Sequence, residues 1–319
     1  MSVRLLLLGV ALLAGSPALA GPAEDWLARI NQAARALNYD GVFVYVHGGQ
    51  VEAMRVVHVV GPDGVRERLV SLNGEAREVI RDDQQVWCYL PKKKMGVHEY
   101  RHDEAQGFPA LLSGKADRLG RHYRLALMAE DRIAGRRAQG LRIQPRDRYR
   151  YGYRLWADVD TGLLLKVDLV DAGGEAVEQY MFTHLVLGDA VDPAALAPAT
   201  PREALEWKGS ADEHPPPTRS GGRWRAGRTP PGFELVSQVT RYLPMQEVPV
   251  EHLVYSDGIA SVSVFVQKAG AGPPALEGVT RMGAVHAFGT RRDGYQITVV
   301  GEVPADTVAL IGRSLQPAS

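Results

Sequence analysis

"RYGYRLWADVDTGLLLKVDLVDAGGEAVEQYMFTHLVL", residues 150–187, holds three apolar-rich runs separated by two short turn signals. The runs are RYGYRLWADV, LLLKVDLVD and EAVEQYMFTHLVL; the joints are Asp160-Thr161-Gly162 and Gly173-Gly174. Connections this short force neighbouring strands to run antiparallel, because a parallel pair needs a crossover of roughly a dozen residues. The same grammar extends upstream through GVFVYVHG, AMRVVHVV, VRERLVSL, AREVIRD, QQVWCYL and QGLRIQP. Asp63-Gly64 and Asn73-Gly74 stand at two of those joints, and such dipeptides supply the positive φ that tight hairpins require. About ten consecutive strands exceed what a small flat sheet tolerates, so the sheet is expected to curl into a large curved surface or incomplete barrel.

One helix precedes the strands. Asp25 is the expected N-cap, and Trp26, Ile30, Ala33 and Leu37 recur at the spacing of a single helical stripe. That helix is available to cover the concave face. Residues 190–222 change character, with DPAALAPATP and DEHPPPTRSGG rich in Pro, Ala and Gly, and are expected to form a linker. A second β-rich unit follows over 223–319. In IASVSVFVQ, Ala260, Val262, Val264 and Val266 alternate with Ser261 and Ser263, which predicts one face on a core and one facing outward. Pro304 opens a terminal helix whose stripe is Val308, Ile311 and Leu315.

Composition narrows the function. Arg4, the run Leu5–Leu13 and Ala18-Leu19-Ala20 read as an export signal over residues 1–20, with the mature domain starting at 21 and a periplasmic address expected. Lys+Arg and Asp+Glu both total 37, so no net field favours nucleic acid. Cys88 is the only cysteine, which rules out an intramolecular disulfide.

The stretch His98-Glu99-Tyr100-Arg101-His102 spells H-E-x-x-H, the zinc-protease pattern, whose chemistry requires both histidines on one helical face. Pro91, Gly96, Gly107 and Pro109 crowd the stretch, and no third ligand stands at a familiar distance. No G-x-S-x-G elbow or phosphate-binding loop occurs either. The sequence therefore predicts a protein that is not an enzyme, with no cofactor and no metal site. Two basic features remain. On a strand, Arg148, Arg150 and Arg154 share one face of PRDRYRYGYR while its three tyrosines take the other, and Lys92, Lys93 and Lys94 follow Pro91. If they gather at one mouth of the curved sheet, they form a cationic rim for an anionic ligand.

NYDGVFVYVHGGQ, RERLVSLNGEAREVIRDD, YGYRLWADVDTGLLLKVDLVDAGGEAVEQYMF, TPPGFELVS, LVYSDGIASVSVFV and ITVVGEVP together resemble, in order, blocks of the MucB/RseB family. These are periplasmic regulators of the sigma-E (AlgU) envelope-stress pathway. The resemblance implies an α+β, mostly antiparallel fold. Residues 21–189 would form a LolA/LolB-like half-open β-barrel covered by helices, and a smaller C-terminal β-rich domain with a terminal helix would follow the linker. It also implies a partner, the periplasmic region of an RseA- or MucA-type anti-sigma factor, shielded from the site-1 protease and released by lipopolysaccharide or another lipid. The alternative is a periplasmic lipid or lipoprotein carrier, and a homo-oligomer stays open. On this expectation Phe43, Tyr45, Trp87 and Tyr89 are the lipid-contact candidates, and Tyr255, Ile259 and Phe265 the partner-contact candidates.

Overall fold

Pro22 occupies the first turn of helix α1 (Pro22–Ala36), where its missing N–H is no loss, and Gly21 is the N-cap. The helix thus starts ahead of Asp25, which lies with Glu24 in the first turn and complements the helix dipole. Its buried face is Ala23, Leu27, Ile30 and Ala33; Trp26 sits beside that stripe with the Arg29 guanidinium 4.2 Å over its ring. The computed structural model describes residues 21–100, 116–209, 216–243, 248–270 and 276–318, with backbone only at 116–118. The expected export signal and, within HEYRH, Arg101 and His102 lie outside the described residues.

Strands β1 (Tyr39–His47), β2 (Gln50–Gly61), β3 (Gly64–Ser71), β4 (Glu78–Arg81), β5 (Gln85–Leu90) and β6 (Met95–Tyr100) form a meander. Helix α2 (Ala116–His122) leads into β7 (Tyr123–Leu127), β8 (Asp131–Ile133), β9 (Arg136–Pro145), β10 (Gly152–Asp158), β11 (Leu164–Val170) and β12 (Ala176–Leu187). One further strand, β13 (Glu206–Lys208), completes the sheet. The order is β13-β6-β5-β4-β3-β2-β1-β12-β11-β10-β9-β7, with β8 beside β9. β13 and β7 end the row without pairing to each other, so the barrel is half-open. Period-2 alternation sends Tyr39, Phe43, Val56, Leu155 and Phe182 into one core with Leu27 and Ile30 of α1. Each such aliphatic or aromatic side chain contributes about 1.5–3 kcal/mol by leaving water.

The Pro/Ala-rich stretch is packed chain as far as β13. Asp192 accepts a hydrogen bond from the Ala194 N–H and starts a short 3-10 turn, and Val191 and Leu196 bury themselves against Val57. This strap crosses the outer face of the sheet before β13 pairs parallel with β6. A Cβ at Gly96 would lie 2.6 Å from the Trp207 ring, so glycine there lets the strand close in.

The second unit comprises β14 (Thr218–Arg219), β15 (Trp224–Ala226), β16 (Glu234–Arg241), β17 (Val250–Ser256), β18 (Ser261–Lys268), β19 (Gly278–Met282), β20 (Val285–Arg292), β21 (Tyr295–Gly301), helix α3 (Ala305–Ser314) and β22 (Leu315–Pro317). Its main sheet has the order β14-β16-β17-β18-β21-β20-β19, and α3 packs on β20 and β21. Val262, Val264 and Val266 enter the core with Val308 and Ile311, as the alternation predicted.

Candidate functional site

The two units meet through a polar interlock. Arg150 precedes β10 in a turn where the Asp147 carboxylate accepts from the Tyr149 N–H at 3.0 Å and from Arg150 Nε at 3.1 Å. From there its guanidinium reaches Asp257 Oδ2 at 2.6 Å and the Pro231 carbonyl at 2.6 Å, both in the second unit. Tyr123 donates to the same Asp257 oxygen at 2.8 Å, and the rings of Tyr123 and Phe233 lie 5.3 and 5.2 Å from the guanidinium carbon. Burial above all, and then the Asp257 charge, push the Tyr123 phenol far above its ordinary value, so it remains a donor. Asp257 Oδ1 is in turn filled by the amides of Ile259 and Ala260.

This geometry corrects the expected cationic rim. Arg150 is enclosed, because the chain turns at Asp147 and the strand begins only at Gly152. Arg154 pairs with Asp168 at 3.1 Å across β10 and β11, while the exposed Arg148 reaches Asp306 of α3 at 3.2 Å. Lys92 and Lys93 form a 3-10 turn after Pro91, capped by left-handed Lys94, with Lys93 3.8 Å from Glu75. Arg148, Arg150, Arg154 and Lys93 thus each meet a separate carboxylate.

The aromatic candidates divide by strand register. Trp87 stands opposite Ile80, Ile80 opposite Arg68, Arg68 opposite Val57 and Val57 opposite Asp40. Asp40 and Phe43 are an odd number of residues apart on β1, so Trp87 and Phe43 point to opposite faces. Phe43 is 1% exposed, in edge contact with Phe182 and Tyr180 inside the core. Tyr45 is on that same inner face and donates to Glu178. Trp87 and Tyr89 look outward instead, toward the strap. With Arg66, Ile80, Pro193, Leu196 and Pro198 they line a cavity of about 410 Å³. The indole N–H of Trp87 is buried there without an acceptor among the described residues. The expected single trough becomes a filled inner face and an outer recess.

Glu99 and His98 belong to strand β6, which sends them to opposite faces and dissolves the helical zinc geometry. His98 instead stacks on Trp87, with centroids 5.1 Å apart, and its Nε2 lies 2.9 Å from Gln85 Oε1. Among the described residues no group of three His, Cys, Asp or Glu is placed to hold a metal ion.

Two of the three partner candidates are used internally. Tyr255 is buried in the second core with its oxygen accepting from the Ala226 N–H, and Ile259 packs against the core of the first unit. Phe265 is half-buried, stacked 4.4 Å over His252. Outside the expected candidates, Leu235 and Val236, both exposed at the start of β16, join Phe265 as apolar surface. Two adjacent apolar residues break the alternation of FELVSQVTRYL, and a bulge lies there.

A half-open antiparallel sheet around one helix, interlocked with a second sheet-and-helix domain and carrying an apolar recess at the connecting strap, defines a two-domain binding protein. Residues 22–200 match the MucB/RseB N-terminal domain and residues 218–316 the MucB/RseB C-terminal domain. The chain belongs to the MucB/RseB family. It is 35% identical to the sigma factor AlgU regulatory protein MucB of Pseudomonas aeruginosa, over 98% of this chain and 96% of that protein. To the sigma-E factor regulatory protein RseB of Salmonella typhimurium it is 30% identical, over 91% and 89%. The crystal structure of MucB in complex with MucA(peri) superposes with a TM-score of 0.68 at 31% identity, covering 93% of this chain and 99% of that one. The complex of Pseudomonas aeruginosa MucA and MucB gives a TM-score of 0.69 at 32% identity, over 94% and 100%.

Proposed function

We propose that this chain is a periplasmic negative regulator of an envelope-stress sigma factor. It grips the periplasmic region of a MucA- or RseA-type anti-sigma factor, shields it from site-1 proteolysis and yields when lipopolysaccharide or another lipid binds. The observation that carries this reading is the end-to-end likeness, through both domains, to MucB solved with MucA. Two linked surfaces multiply weak contacts into a strong grip, and a ligand that alters their relative placement forfeits that gain. The recess at Trp87 and Tyr89 suits the lipid's role, because one of its walls is the strap that leads to the second domain. Phe43 and Tyr45 support it from the inner face of the same sheet, and Phe265 with Leu235 and Val236 offer the second domain's apolar contacts.

The recess alone also fits a periplasmic carrier of lipids or lipoproteins. The filled inner face weighs against bulk cargo, since Phe43 and Phe182 occupy the space that a carrier keeps open. The test is cleavage of the anti-sigma periplasmic region by its site-1 protease, with and without this protein and then with lipopolysaccharide. Shielding that lipopolysaccharide abolishes is expected; cleavage at the same rate with and without the protein overturns the reading. Transfer of a labelled lipid to acceptor vesicles, without shielding, selects the carrier.

A further inference from the structure

The loop between β9 and β10 carries Arg146, Arg148 and Arg150 against a single acid, Asp147. Asp147 takes the Arg150 Nε–H at 3.1 Å, and Arg146 Nε donates to the Tyr123 carbonyl at 3.3 Å, all within the first domain. Three arginines against one aspartate leave the loop two positive charges in excess, and the second domain meets them with two carboxylates. Asp257, from the turn between β17 and β18, reaches Arg150 at 2.6 Å, and Asp306 of α3 reaches Arg148 at 3.2 Å. Between the two arginines, the Tyr149 carbonyl accepts from Thr307 Oγ1 of α3 at 2.5 Å.

The donors of the first domain at this point are spent on oxygens of the second. Arg150 Nη1 and the Tyr123 hydroxyl converge on Asp257 Oδ2, and Arg150 Nη2 donates to the Pro231 carbonyl at 2.6 Å. Two residues beyond Asp257, Ile259 packs against the core of the first domain. The turn therefore presents an anion with an aliphatic group beside it. Its shape is fixed from within the second domain, since Asp257 Oδ1 accepts from the Ile259 and Ala260 amides at 2.9 and 2.8 Å. We propose that Arg150, Tyr123 and Arg148 form an anion-binding site of the first domain whose built-in occupant is the Asp257–Ile259 turn, and that the phosphate monoester of an amphiphile competes with this turn and undocks the second domain.

The donor set selects the ligand. A carboxylate offers two oxygens and one charge, whereas a phosphate monoester offers three oxygens and about −1.5 to −2 charges at pH 7. The second matches the converging donors and the doubly positive loop, with two oxygens taken by the guanidinium fork. Its aliphatic chain takes the apolar place that Ile259 fills in the docked form. Occupation and docking exclude each other, because the Arg150 side chain exposes no surface while the domains are joined. Docking thus lowers the apparent affinity for the ligand, and the ligand weakens docking by the same factor. The inference rests on the lipid-triggered release proposed above and gives it a site. A junction that served stability alone would take up no anion after Asp257 lost its charge.

The full chain without any partner tests the site separately from shielding. The Arg150 Nε–H is held by Asp147 inside the first domain, so its NMR resonance reports what occupies the guanidinium. Octyl phosphate is the probe. It should shift that resonance in the wild type and lower the exchange protection of the Ala284 amide, which donates to Glu178 across the junction at 2.8 Å. Asp257→Asn removes the internal anion and should tighten octyl phosphate about tenfold or more. Asp306→Asn, at an exposed pair, should tighten it about twofold. Tyr123→Phe added to Asp257→Asn should weaken it about tenfold, the effect of one hydrogen bond to a charged group. Octanol should leave the resonance in place, and inorganic phosphate should bind Asp257→Asn about tenfold or more weakly than octyl phosphate does. Equal affinity in wild type and Asp257→Asn overturns the internal occupant, and octanol acting like octyl phosphate overturns the anion site. Inorganic phosphate binding as tightly as octyl phosphate overturns the amphiphile. Octyl phosphate seated at Arg150 in a protein that gives no shielding would sustain the site and remove the proposed function; shielding without that seat would do the reverse.

Discussion

Arg150 Nη1 and Asp257 Oδ2 meet at 2.6 Å across the domain junction, and neither side chain exposes any surface. Truncating one partner strands the other as a buried charge, which costs about 3–5 kcal/mol. Arg150→Met and Asp257→Leu singly are therefore expected to lower the urea midpoint of the junction sharply. The double variant should recover much of the loss, because both charges leave together. A double-mutant cycle followed by tryptophan fluorescence measures this, and additive losses would contradict an interlock.

Glu67 is a second buried anion, placed inside the first domain. His58 Nδ1 lies 2.7 Å from Oε1, Arg81 pairs with Oε2, and Tyr39 stacks on His58 with centroids 4.7 Å apart. Burial would raise this carboxyl, but the His58 hydrogen bond and the Arg81 charge overcome that and hold it below its ordinary 4.5. A depressed value in the fold means stabilisation that is present above 4.5 and vanishes as the pH falls through the folded value. Glu67→Gln should cost about 1.5–3 kcal/mol at pH 7, the worth of hydrogen bonds to a charged group. The difference from wild type should shrink in acid unfolding below pH 4. An undiminished difference at pH 3 would show that the charge is not what stabilises.

The strands were legible and the partners of their charges were not. Asp63-Gly64, Asn73-Gly74 and Gly173-Gly174 mark turns locally, and alternation in SVSVFV marks a face, so the half-open sheet and the second core could be read from neighbours in the chain. Arg150 meets Asp257 over 107 positions, and no local period announces such a contact. Reading PRDRYRYGYR as one strand placed Arg150 on a rim because the turn at Asp147 depends on a side-chain-to-backbone hydrogen bond that composition does not display. The four aromatics were legible as a set of large apolar residues. Their division between faces needed the register running from β5 to β1. The flanking Pro91 and Gly96 argued against a helix at HEYRH; of that stretch His98, Glu99 and Tyr100 lie on strand β6, and His98 took a local role beside Trp87.

The outer recess makes the last prediction. Its walls are Ile80, Trp87, Tyr89 and Leu196, and Arg66, which has no ion-pair partner among the described residues, stands at its edge. Apolar walls with one free cation fit a single acyl chain bearing an anionic head, each buried methylene contributing about 0.8 kcal/mol. A fluorescent medium-chain fatty acid should bind the wild-type protein, with its anisotropy as the readout. Ala197 also lines the recess, so Ala197→Phe fills the space and should weaken binding about tenfold or more, equivalent to roughly 1.4 kcal/mol. Arg66→Gln should weaken the fatty acid but spare the corresponding uncharged alcohol, because only the head group meets the guanidinium. Equal affinity of Ala197→Phe and wild type would place the ligand elsewhere, and equal loss of acid and alcohol in Arg66→Gln would remove the charge from the account.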